Sequence, residues 1–167
     1  MIALQIKSLK VFMNSLLASD TFDIFLLEEA IITTYNTFSI DGHQNKEFYT
    51  PEEWEDKTLR PYDFTCFKDI RNLCFDLIKG KHTPLSFKFV LHLTPEHVAS
   101  ILEHGESPIS ADQVKAFVLT IRYDGNDLTL ITGTSFHTFI PSKEPEKLWD
   151  KALCRFLTKK ELAYEEL

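Results

Sequence analysis

The spacing of apolar residues switches repeatedly along this chain. Ile2, Leu4 and Ile6 alternate with Ala3, Gln5 and Lys7, as in a strand with one buried face. Leu9, Phe12, Met13, Leu16 and Leu17 then fall at i, i+3, i+4, i+7 and i+8, the stripe of an amphipathic helix. Asp20 to Asp23 breaks it. From Ile24 to Ile40 β-branched and aromatic residues dominate, and Asp41-Gly42 is a turn signal. That run is too long for one ordinary strand, so two are expected, joined near Glu28-Glu29 or Tyr35-Asn36.

Residues 50–62 are polar and charged, with Thr50 placed as an N-cap and Pro51 at the first helical position. Phe64, Phe67, Ile70, Leu73, Cys74, Leu77 and Ile78 mark a second amphipathic helix, ended by Gly80. Phe87, Phe89, Leu91 and Leu93 alternate with Lys88, Val90 and His92, predicting a strand. Thr94-Pro95 opens a third helix with Val98, Ile101 and Leu102 inward, and Gly105 to Asp112 reads as loop. Phe117, Leu119, Ile121 and Tyr123 alternate next. Asp124-Gly125-Asn126 turns that strand into Leu128–Thr132. There Gly133-Thr134-Ser135 breaks the pattern before Phe136–Ile140 resumes it. Gly133 is expected to bend or bulge the strand, with Phe139 returning to the core. A last helix puts Leu148, Trp149, Ala152, Phe156 and Leu157 inward.

The two ends of the chain follow one plan. Strand 2–7, helix 8–18 and the strands within 24–48 match strand 86–93, helix 94–104 and strands 115–124 and 127–140. Asp41-Gly42-His43 is the counterpart of Gly133-Thr134-Ser135. The expected fold is α+β: a mainly antiparallel sheet with about four helices, built from two related strand–helix–strand–strand units. Residues 1–167 form a single domain in this reading. Unit one spans 1–49, a connecting helical segment 50–84, unit two 85–141 and a C-terminal helix 142–167.

Composition narrows the function. The chain is 44% hydrophobic and 26% charged, a globular profile, and its net charge of −7 gives no support to nucleic-acid binding. Cys66, Cys74 and Cys154 have no metal-ligand spacing, which suits free thiols in a reducing compartment and a cytoplasmic location. Lys7 and Lys10 interrupt the only stretch resembling a signal peptide, and no membrane span is expected.

"FMNSLLASDTFDIFLLEEAIITTYNTFSIDG", "LIKGKHTPLSFKF" and "LTLITGTSFHTF" resemble an uncharacterised family of small Firmicute proteins, a domain of unknown function. That resemblance implies no reaction and no catalytic residues. "FVLTIRYDGNDLTLITGTSFHTFI" is similar to the strand–turn–strand of bacterial DNA sliding clamps, which implies a clamp-like arrangement of the two units. Clamps turn basic short helices toward DNA. Here the second short helix presents Glu96, His97, Ser100, Glu103 and His104, and the first offers only Lys7 and Lys10.

No catalytic motif emerges. Ser135 lacks the second glycine and the following helix of a hydrolase elbow. Glu28-Glu29 and Glu52-Glu53 are neighbours, and on a strand neighbours point to opposite faces. His43, His82, His92, His97, His104 and His137 form no metal pattern and read as solvated surface residues. No cofactor is implied. "IKGKHTPLSF" lacks phosphate-loop spacing and reads as a helix C-cap. The best candidate is an anion-binding patch of Lys68, Arg71, Lys79, Lys81 and His82, extended by Lys88 and Arg122 if their strands pair. The leading expectation is a non-enzymatic binding or accessory module, working with a protein partner or as a homo-oligomer. The alternative is a small-ligand or anion-binding protein, or an enzyme, using the patch around Lys79, Lys81 and His82.

Overall fold

The computed structural model describes residues 1–167. The alternating start forms strand β1, Ala3–Ile6. Ser8 caps helix α1, Leu9–Leu17, its hydroxyl accepting from the Val11 amide. The long β-rich run divides into β2, Phe25–Thr33, and β3, Thr37–Asp41, so the chain turns at Tyr35-Asn36. Glu28-Glu29 has a different part. Register against the neighbouring strand jumps from Leu27 to Glu29, which makes Glu28 the extra residue of a β-bulge.

Thr50 caps α2, Pro51–Glu55, in a reciprocal capping box with Glu53. Arg60 folds back on this helix. Its guanidinium lies 3.3 Å from the centre of the Trp54 ring and donates to the Trp54 carbonyl and to Gln44 Oε1, each at 2.7 Å. Thr65 and Cys66 form a short strand, β4, against Leu27 and Leu26. Helix α3, Phe67–Ile78, therefore starts after the expected Phe64. Strand β5, Ser86–Leu93, helix α4, Pro95–His104, strands β6, Val114–Tyr123, and β7, Leu128–Phe136, and helix α5, Glu144–Lys159, follow. A final strand, β8, Tyr164–Glu166, has no hydrophobic pattern to announce it and pairs with β1.

The strands make one antiparallel sheet in the order β3-β2-β5-β6-β7-β1-β8, with β4 beside β2. The fold is α+β as expected, with five α-helices where about four were read. Phe87, Phe89, Leu91 and Leu93 of β5 share one core cluster of 29 buried residues with side chains from α1, α3, α4 and α5. Those four helices thus cover one face of the sheet. Trp149 of α5 stacks on Phe117 of β6 at 5.7 Å between ring centres, and its indole N–H donates to the Val118 carbonyl at 2.9 Å. The other face carries Lys88, Val90 and His92, with Phe64 packed against His92.

Two details correct the sequence reading of β7. The strand ends at Phe136, and Phe139 is 90% exposed instead of returning to the core. Gly133 does not bulge the strand: it pairs in register with Val118. The irregularity lies across the ladder, between Val114 and Ala116 of β6. The two halves share their hairpins, β2–β3 and β6–β7. Their first strands are placed differently, since β5 pairs with β2 and β6 whereas β1 pairs with β7 and β8. The likeness of element order does not extend to strand pairing.

In the β6–β7 turn Asp124 accepts from the Asp127 and Asn126 amides, each at 2.9 Å, and these bonds hold its carboxyl below the ordinary aspartate value of 3.8. A depressed folded-state value contributes stability above about pH 4, lost as pH falls through it. Asp124→Asn keeps the acceptor oxygen but cannot titrate. Urea midpoints measured from about pH 5 down to about pH 2 should therefore fall less steeply for D124N than for the parent.

Candidate functional site

The C-terminal half of α3 carries more apolar residues than its core stripe can use. Cys74 is buried, and burial pushes its thiol up to about 12, so it is inert. Leu73 and Phe75 flank it at 49% and 41% exposure, and Val11 on α1 is 50% exposed. The helix ends where the Lys79 amide bonds the Phe75 carbonyl, and Gly80 follows at φ 145°, a region that favours glycine. The chain then runs through Lys81, His82, Thr83 and Pro84 into β5.

Between α1, the end of α3 and this loop lies a hollow of about 870 Å³, open to solvent. Leu9, Met13 and Leu17 form one wall, Phe75 and Ile78 the other, with Phe87 also in the lining. The positions i, i+4 and i+8 set the α1 residues along one side of that helix. Lys10, Lys79, Lys81 and His82 supply charge and polarity at the rim, and no carboxylate lines the hollow. A neighbouring hollow of about 390 Å³ shares residues 78–83 and is closed by Thr34, Tyr35, Leu77 and Leu85. The loop is a wall common to both.

Of the residues read from sequence as an anion patch, the structure brings together Lys79, Lys81 and His82. Lys79 Nζ is 2.8 Å from an exposed Asp76 oxygen, a surface pair of small energetic weight. Arg71 is occupied elsewhere: its guanidinium bonds the Asp23 carboxylate and the Ser19 carbonyl, tying α3 to the turn before β2. Lys68 sits in the first turn of α3, about 16 Å along the helix axis from Lys79. Lys88 and Arg122 do pair across β5 and β6, but they point away from the helices, and Lys88 Nζ meets Glu29 at 3.1 Å. They cannot extend a patch on the other side of the sheet. Lys10 was missed as a member; its only sequence signal is its place beside Leu9 and Met13 on α1.

The face of the sheet that carries Lys88 and His92 corrects two further readings. Neighbouring residues on a regular strand point oppositely, yet Glu28 meets His92 and Glu29 meets Lys88, both on this face. The bulge at Glu28 turns both carboxylates the same way. Each is held by a different basic side chain, so they do not form an acid–base pair. His92 is accordingly not a solvated surface residue: it is largely covered, bonded to Glu28 and packed edge-on against Phe64 at 4.8 Å. The other five histidines are exposed.

Ser135 lies half-buried within β7 opposite Ala116, not at an exposed elbow. No group of three or more His, Cys, Asp or Glu side chains is placed to hold a metal ion. No helix is long and apolar enough to cross a membrane. The arrangement around the α1–α3 hollow offers positive charge beside apolar surface, which is chemistry for binding.

Residues 15–165 match a family of unknown function, DUF5721. The chain belongs to that family. The DUF5721 span contains the whole α3–β5 side of the hollow, and of the α1 wall it contains Ser15, Leu17 and Ala18. No curated protein and no solved structure matches the chain.

Proposed function

We propose that this DUF5721 protein is a non-enzymatic binding module whose working site is the hollow between α1 and the α3–β5 loop. The ligand has an apolar body and an anionic end. One observation carries this reading: in a chain of net charge −7, a hollow with an apolar floor has three lysines and a histidine in its lining and no carboxylate. A volume of about 870 Å³ falls within the ~300–1,000 Å³ of ordinary ligand sites. Three free cysteines, none bonded to another, support a reducing, cytoplasmic setting. The exposed Glu96, His97, Glu103 and His104 on α4 favour a protein or small-molecule ligand over DNA.

Dodecyl phosphate tests the site directly, because it joins an apolar chain to an anionic head. Amide resonances of Leu9–Ala18 and Phe75–Phe87 should shift on titration, and dodecyltrimethylammonium should leave them in place. Lys10→Glu/Lys81→Glu, at two exposed positions, should weaken binding about tenfold while the circular-dichroism spectrum is kept. Equal shifts with both detergents, or shifts centred outside these segments, would sink the proposal.

A further inference from the structure

We infer that the natural occupant of this hollow is an acidic amphipathic helix of a partner protein. The inference rests on the binding-module reading above and names the ligand class for the same site. Its first support is shape. The hollow is walled along α1 from Leu9 to Ala18, and the nine residues of α1 extend about 13 Å, two and a half turns. Leu9 and Met13, one helical turn apart and partly exposed, and half-exposed Val11 lie along that length, so the wall offers a ridge against which the i, i+3/i+4, i+7 side chains of another helix pack.

The second support is exposure. A small-molecule site buries ~70–90% of its ligand, whereas this hollow is open to solvent. Exposed apolar side chains stand at both hollows, Val11 and Phe75 at the larger and Leu85 and Tyr35 at the smaller. Exposed apolar side chains gathered in this way suit a macromolecular contact. Strand addition is excluded as the mode of binding. The walls are helices and a loop, and the strand that contributes to the lining, β5, has both edges filled by β2 and β6. The third support is charge: Lys10, Lys79 and Lys81 around a lining without carboxylates complement glutamates flanking an apolar stripe and repel a basic helix.

The test uses the full chain and three labelled synthetic peptides of about 16 residues. The first carries leucine at helical spacing with glutamate elsewhere, the second the same composition with leucine at alternate positions, and the third lysine in place of glutamate. Fluorescence anisotropy should give micromolar binding for the first, at least about tenfold weaker binding for the second, and none for the third. Val11→Glu, at a half-exposed helical position that leaves folding intact, should weaken the first by about tenfold or more, and Lys81→Glu should do the same. Equal binding of the helical and alternating peptides overturns the inference, as does binding of the lysine peptide. If dodecyl phosphate still shifts the Leu9–Ala18 amides while the acidic helix is silent, the occupant is a small amphiphile and only the helix fails. If neither binds, the binding-module reading falls with it.

Discussion

Gly42→Ala is expected to destabilise the protein by roughly 3 kcal/mol or more, whereas Gly133→Ala should change stability by about 1 kcal/mol or less. The two glycines occupy matching places in the sequence plan, each in a polar break between β-rich stretches. Their surroundings are opposite. A Cβ on Gly42 would stand 1.7 Å from the Leu27 carbonyl oxygen and 2.6 Å from its carbon. Both are backbone atoms, so no side chain can swing aside. The crowding arises from the β2 bulge: the Gly42 amide donates to the Glu28 carbonyl at 2.8 Å, and the Gly42 carbonyl accepts from the Thr65 amide at 2.9 Å. Any side chain here must prise β3 and β4 away from that bulge. At Gly133 the nearest atom to an added Cβ is Val118 Cβ at 3.7 Å, an ordinary contact. Paired chemical denaturation of G42A and G133A checks the contrast, and similar midpoints for the two would mean that the bulge does not hold Gly42 as described.

Phe22→Ala should cost about 3–5 kcal/mol, a large share of the ~5–15 kcal/mol that holds a typical domain folded. Phe22 lies in the acidic break after α1, flanked by Thr21 and Asp23, yet it is fully buried. Its ring packs on Phe12 of α1 at 5.4 Å, on Phe25 of β2 at 5.9 Å and on Phe156 of α5 at 5.4 Å between centres. It is the point where the α1–β2 connection meets α5, which is distant in sequence, so truncation leaves a cavity bordered by rings that cannot all close in. For a chain of this size each kcal/mol shifts the melting temperature by about 2–4 °C, which predicts a fall of roughly 10 °C. Phe48→Ala, at an exposed position, is the matched control and should melt with the parent. A fall no larger than that of F48A would show that the aromatic cluster is not what joins α1, β2 and α5.

Glycine and phenylalanine show where the sequence was legible. The alternation of Phe87, Phe89, Leu91 and Leu93 named the buried face of β5 correctly, and the Leu9–Leu17 stripe named α1 almost to the residue. Thr50-Pro51 announced α2, whereas the return of Arg60 to Trp54 across an irregular segment was not visible in it. Lys79, Lys81 and His82 were legible as a cluster because they are adjacent. Arg71, Lys88 and Arg122 were not separable from them, since a cation's partner and the side of the sheet it faces are long-range facts.

Periodicity therefore placed most of the elements and the side of each that turns inward, because a helix or strand must bury one stripe or one face to be stable, although nothing in it announced β4 or β8. Composition set the acidic balance of the chain. Only the tertiary structure decided that β1 lies beside β7 and β5 between β2 and β6. It decided too that Gly42 is crowded and Gly133 free, that Phe22 is core, and that Lys10 joins Lys79 and Lys81 around an apolar hollow. Those outcomes rest on contacts between residues far apart in the chain, whose geometry is fixed by the joint packing of all the elements and is written in no single window of sequence.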